Sequence, residues 1–176
     1  MRTIDSIEAE QGIETKPTFV NGQRVKSEVP SSCTNVESSV IPAKLSVVWE
    51  KFRWWKLEEV APSIVSSTEW VDGAAGRVDS TVKVTYKNGA VWYLRVTDLS
   101  ERNHTLGYEL IQAEPATSVS SIVGEFELEA ITDEDQTYFS WSTEYSNDVD
   151  ADFIGDARWK KRELFDDIKR HFAAAQ

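Results

Sequence analysis

The chain has 176 residues, 40% of them hydrophobic, with seven Trp, seven Phe and five Tyr, enough apolar volume for the core of one ordinary domain. Thirty Asp and Glu against nineteen Lys and Arg give a formal net charge of -11, which repels phosphate backbones and anionic headgroups, so neither nucleic acid nor an anionic membrane surface is an expected partner, and without a spanning apolar run no stable membrane insertion is expected. Cys33 is the only cysteine, excluding an internal disulfide and any zinc cluster built on several cysteines of one chain.

Residues 1–32 mix Glu, Lys, Ser, Pro and Gly with single apolar residues and follow neither the strand nor the helix period, which predicts a flexible tail ahead of one domain over 33–173. The first residues carry no apolar run of signal-peptide length, and no stretch approaches the ~20 apolar residues that span a bilayer. A cytoplasmic location is the expectation. Residues 34–41 read as a strand stopped by Pro42, and 43–52 as a short helix with Leu45, Val48, Trp49 and Phe52 on one face. A further helical turn or two over 54–60 ends before Pro62.

Six strands are then predicted from period-2 alternation between turn signals. They cover 63–71, 78–86, 91–98, 105–113, 119–131 and 137–146. Asn88-Gly89 joins the second to the third, because both residues tolerate the positive φ angles of a tight hairpin turn. Over 91–98, Trp92, Leu94 and Val96 share one face and Tyr93, Arg95 and Thr97 the other. The long run 119–131 carries Gly124 in its middle, which predicts a bend or bulge. Over 152–172, Phe153, Ala157, Leu164, Phe165, Ile168 and Phe172 recur with the helical period, and Asp150 or Asp152 suits the N-cap.

The order predicts an α+β fold: a seven-stranded curved antiparallel sheet, two short helices after its first strand, and a long C-terminal helix covering the open apolar face. Alternation turns Val84, Trp92, Leu94, Tyr108, Leu110, Phe126 and Trp141 inward, joined by Phe165 and Ile168 from the helix. With space left between helix and sheet, this set suits an apolar ligand held by one or two polar groups such as the Tyr108 hydroxyl; without space, it is a filled core.

Catalytic signals are weak. His104 and His171 are the only histidines, one at a predicted loop end and one near the terminus, so no metal site, Ser-His-Asp relay or cofactor is assigned. The acidic runs Asp133–Asp135 and Asp148, Asp150, Asp152 lack the spacing and glycine of a calcium loop. Asp72-Gly-Ala-Ala-Gly76 lacks the Lys-Ser/Thr ending of a phosphate loop and reads as a mobile connection. Arg95 and Glu109 are expected as an ion pair on the outer face. A one-residue slip of strand 91–98 would instead turn Tyr93 and Arg95 inward.

Several phrases occur in an order that resembles the helix-grip superfamily of START domains, pollen-allergen-like proteins and polyketide cyclase or dehydrase-like proteins, known as SRPBCC. They are Val48-Trp49 followed by Trp54-Trp55, Asp72-Gly-Ala-Ala-Gly76, Lys87-Asn-Gly-Ala90, Tyr108-Glu-Leu-Ile111 ahead of Glu114-Pro115, and Thr137-Tyr-Phe-Ser-Trp141. The resemblance spans about 34–172. It implies a pocket between the concave sheet and the terminal helix, used for lipids, sterols, hormones or polyketides. Enzyme-like relatives tend to carry a Glu on the strand after the Asn-Gly-type hairpin, where this chain reads Val91-Trp-Tyr-Leu-Arg95. Binding or transport of a hydrophobic small molecule is therefore the leading expectation. The alternatives are a cofactor-free cyclase or dehydratase and a non-enzymatic interaction protein with a filled core.

Overall fold

The computed structural model describes residues 19–20, 23–24 and 32–174. The tail predicted over 1–32 lies outside these residues, apart from Ser32 and the segments β1 (Phe19–Val20) and β2 (Gln23–Arg24), which pair antiparallel.

The remaining elements are β3 (Thr34–Ile41), α1 (Leu45–Arg53), α2 (Leu57–Val60), β4 (Val65–Asp72), β5 (Thr81–Tyr86), β6 (Val91–Ser100), β7 (Thr105–Glu114), β8 (Ile122–Ile131), β9 (Gln136–Tyr145) and α3 (Ala151–Ala174). The seven strands β3 to β9 form one sheet in the order β3-β9-β8-β7-β6-β5-β4, and every neighbouring pair is antiparallel. Five successive hairpins build β4 to β9. The first strand, cut off from them by α1 and α2, returns beside the last. Two short helices after the first strand and one long helix after the last complete the helix-grip arrangement that the sequence predicts.

The sheet curves where its ladder is irregular, since an extra residue on one strand bends and twists it. Register shifts fall between Tyr93 and Leu94 and between Val96 and Asp98 in the β6–β7 pair, and twice in the β4–β5 pair. Gly124 is not such a place. Its pairing with Tyr108 and Thr143 is regular, and the missing side chain has another cause: a Cβ there would lie 2.2 Å from Tyr108 Cζ. The Tyr108 ring crosses its neighbouring strand through the space that only glycine leaves.

Aromatic side chains fill the core between the concave face and the helices. Phe126 on β8 meets Phe52 from α1, Trp55, Tyr108, Phe139 and Trp141 with ring centroids 5.1–5.6 Å apart, and Phe165 from α3 closes on Phe139 at 5.1 Å. Most of these pairs are edge to face, which places positive ring edges against negative faces. Trp55, fully buried, sits at the junction of α1 and α2 with φ 55°.

The two halves of α3 are held differently. Leu164, Phe165, Ile168 and Phe172 are buried in the C-terminal half. There Asp167 also accepts hydrogen bonds from the Ser63 backbone N–H at 2.9 Å, from the Ser63 hydroxyl, and from Arg170 at 2.8 Å. In the first turns, residues 151–155 are all half-buried, and no described residue comes within 4 Å of where a Cβ of Gly155 would stand.

Candidate functional site

Both faces of β6 are settled by its pairing. Leu94 and Val96 are buried, and Trp92 packs on the core. Arg95, exposed, stands opposite Glu109 and donates from Nε to Glu109 Oε1 at 2.7 Å. Arg95 therefore lies on the convex face and reaches no interior group, which removes the slipped-register arrangement.

The nine residues expected to line a pocket come together on the interior side. Val84, Leu94, Tyr108, Phe126, Phe165 and Ile168 are buried, and Trp92, Leu110 and Trp141 pack against them half-buried. They touch one another as well as facing the same space. The Trp141 indole N–H donates to the Tyr108 hydroxyl at 2.8 Å, and burial pushes the Tyr108 phenol well above its ordinary pKa, so it stays neutral.

A second apolar cluster lies beyond this core, toward the start of α3: Val119, Ile122, Tyr145 and Val149 are buried there, with Cys33, Phe153, Ile154 and Ala157 against them. Trp92 and Leu110 pack on both clusters and join them. On the outside, a depression of about 280 Å³ runs between the end of β7 and the 116–122 segment, with Leu110, Val119 and Ile122 in its wall. Its rim is fixed by polar contacts: the Ser120 backbone N–H donates to Asp148 at 3.0 Å, and that of Ser121 to the Ser146 hydroxyl at 2.9 Å. A larger open groove of about 710 Å³ lies elsewhere, between Ser63, Ile64 and the outer side of α3, where Trp159, Glu163, Asp166, Lys169 and Arg170 line it. None of the nine predicted residues borders that groove. Leu110 borders the smaller depression.

Two polar side chains mark the boundary between the clusters, and neither was singled out by the sequence. Lys161 on α3 is 4% exposed; its Nζ donates to the carbonyls of Trp141 at 3.0 Å and Asn35 at 3.3 Å and lies 5.0 Å from the centre of the Trp141 ring. Desolvation lowers its pKa from 10.5 to about 7, partly countered by the Glu37 charge. Glu37 itself is taken: Arg158 and Arg162 donate from their Nε atoms to its two oxygens at 2.8 and 3.0 Å. Burial raises its pKa, but these two arginines outweigh it and hold the carboxyl below its usual range. Among the described residues, neither amide atom of Asn35, also 4% exposed, finds a partner at close hydrogen-bond geometry. Its polar neighbour is the Tyr145 hydroxyl: burial raises that phenol's pKa, and hydrogen bonding with the Asn35 and Thr143 side chains offsets part of the rise. Period 2 along 34–41 could have shown that Asn35 shares its face with Glu37 and Ile41. No signal in the sequence brings Lys161 beside it.

The predicted loops are firmer than expected. The Trp54 ring packs on Gly76, where a Cβ would come within 2.5 Å of it, and the Arg53 guanidinium stacks 4.5 Å from the Trp54 ring centre. The Ser80 hydroxyl donates to the Ala74 carbonyl at 2.6 Å. His104 is half-buried, edge-on to Trp49 at 5.4 Å, and the Trp49 indole donates to Glu101 at 2.8 Å. These contacts latch α1 and the loop after β4 to the sheet.

No family model matches the chain, and no curated protein matches it. Solved structures do. A protein of Nitrosospira multiformis superposes with a TM-score of 0.67 at 22% identity, covering 79% of this chain and 95% of that one. Ginseng major latex-like protein 151 from Panax ginseng gives 0.66 at 16% identity, covering 79% and 96%, and Ara h 8.0201 gives 0.65 at 17%, covering 80% and 97%. At these identities the likeness is one of fold, and the fold is that of the pollen-allergen-like and latex-like helix-grip proteins. Among the described residues, no helix is long and apolar enough to cross a membrane.

Proposed function

We propose that this helix-grip domain binds a hydrophobic small molecule of lipid, sterol or polyketide-like character between its concave sheet and α3. The observation that carries the reading is the second apolar cluster. Trp92 and Leu110 connect it inward to the main core, it backs a depression of about 280 Å³ on the surface, and the overlying turns of α3 are half-buried, with no described residue within 4 Å of where a Cβ of Gly155 would stand. An apolar guest seated there removes its own surface and that of the cluster from water, at about 25 cal/mol per Å² buried. Val84, Leu94, Tyr108, Phe126, Trp141, Phe165 and Ile168 form the deeper wall in this reading, and Trp92 and Leu110 the threshold. No residue in it is assigned a catalytic role, and the interior holds no carboxylate on β6.

The dense aromatic packing of the core favours one competitor, an interaction protein that takes up no ligand. Native mass spectrometry of the protein purified from its own cell extract separates the two. A stoichiometric apolar compound released on denaturation supports binding, with Trp92→Ala lowering retention about tenfold, equivalent to about 1.4 kcal/mol. Bare protein that takes up neither lipids nor fluorescent apolar probes overturns it.

A further inference from the structure

The boundary between the two apolar clusters has an unusual imbalance. Phe153, Ala157 and Lys161 are spaced by four on α3 and so share one face, while Asn35 lies near the start of β3, two residues after Cys33. Tyr145 stands across from Phe153 with ring centres 5.7 Å apart. Lys161 and Asn35 therefore stand next to Ala157, Phe153 and Cys33, which pack on the second cluster. The Lys161 ammonium has three N–H donors; two reach the Asn35 and Trp141 carbonyls, and the third has a ring face but no oxygen. Among the described residues only Glu37 counters its charge, and in part, since both Glu37 oxygens are held by Arg158 and Arg162. The Asn35 amide, equally buried, has no acceptor at close hydrogen-bond geometry among the described residues and only the Tyr145 hydroxyl as a polar neighbour.

Native proteins rarely leave a buried cation so weakly countered beside an amide so poorly paired, since each costs free energy that a partner would return. Donors short of acceptors call for an acceptor, and an ammonium only partly countered calls for an anionic one. We infer that Lys161 and Asn35 form the anchoring site for the carboxylate of an apolar monocarboxylic acid, whose hydrocarbon part lies along Tyr145, Phe153 and the Trp92–Leu110 threshold. This inference rests on the binding reading above and adds the chemical class of the guest. One carboxylate oxygen accepts from Lys161 Nζ and the other from Asn35 Nδ2, while the rest of the molecule meets only apolar walls. The Tyr145 hydroxyl, in the same buried corner, is the third polar group the head encounters. A neutral sterol or ester would leave the ammonium as weakly countered as it is in the empty protein.

The experiment compares cis-parinaric acid with its methyl ester, two fluorescent probes that share a chain and differ in charge, by titration into the full-length protein at pH 6.5. The acid is expected to bind at least tenfold more tightly than the ester, a difference that Lys161→Met removes and Lys160→Met, at an exposed lysine paired with Asp156, retains. Asn35→Leu is expected to reduce the acid's advantage severalfold and reads the same site should Lys161→Met fold poorly. Equal binding of acid and ester by the wild type, or an acid preference that survives both Lys161→Met and Asn35→Leu, overturns the anchoring site while leaving apolar binding intact. Binding of neither probe overturns both readings.

Discussion

Replacing Lys161 by Met tests the electrostatics of the interior without any ligand. Burial lowers the lysine from 10.5 to about 7, and at about 1.4 kcal/mol per pH decade this corresponds to roughly 5 kcal/mol weighing on the charged form in the folded protein. Below pH 7 the lysine is protonated folded and unfolded, and the fold bears the whole penalty. Between pH 7 and 10.5 the unfolded chain binds the extra proton, so stability rises with pH; above 10.5 both states are neutral and the penalty is gone. Met keeps the length and apolar stem of the side chain and has nothing to titrate. Urea unfolding of both proteins from pH 6 to pH 10 should therefore show the wild type gaining on Lys161→Met by about 4 kcal/mol across that range. Groups common to both proteins, the buried tyrosines among them, cancel in the comparison. A difference in stability that stays flat with pH would refute a buried, destabilised ammonium, and with it the motive for an anionic guest.

Two substitutions test the frame around the site. Gly124→Ala drives a methyl group into the Tyr108 ring, 2.2 Å from Cζ, and should cost about 2–3 kcal/mol in urea unfolding, as overpacking does; Tyr108→Ala in the same chain should return most of the clash energy, which a double-mutant cycle reads directly. Asp167→Ala leaves the Ser63 N–H without its acceptor and frees the C-terminal half of α3 from the α2–β4 connection. It should cost about 2–3 kcal/mol and speed amide exchange in the last turns of α3 relative to β8.

The composition of local patterns was legible along the chain. Pro42 and Pro62 bracket the two short helices, Asn88-Gly89 stands at the β5–β6 hairpin, and period 2 assigns Leu94, Val96 and Phe126 to the buried face. Boundaries drifted where side chains outside the strand decide them. Residues 78–80 alternate like a strand and still bond across to Val96, but Asp79 with φ 66° breaks the extended backbone and makes them part of the turn. Residues 119–121 alternate too, yet Asp148 and Ser146 capture Ser120 and Ser121 before the β8 ladder begins at Ile122. Gly124 was legible as special and not as to why, because the ring that needs its space comes from Tyr108 on another strand.

What the sequence determined by itself was the element order, the inward stripe of aromatics and hence a seven-stranded antiparallel sheet closed by a terminal helix, because alternation, the helical period and turn chemistry act between residues a few positions apart. The polar boundary was decided only by tertiary structure. Lys161 and Asn35 are 126 positions apart, and on α3 the lysine reads as one more charge in the basic run Arg158-Trp-Lys-Lys-Arg162. Its burial follows from the return of β3 beside β9 and the lie of α3 across that pair, which set an ammonium against two backbone carbonyls and give the nearest carboxylate to two arginines instead.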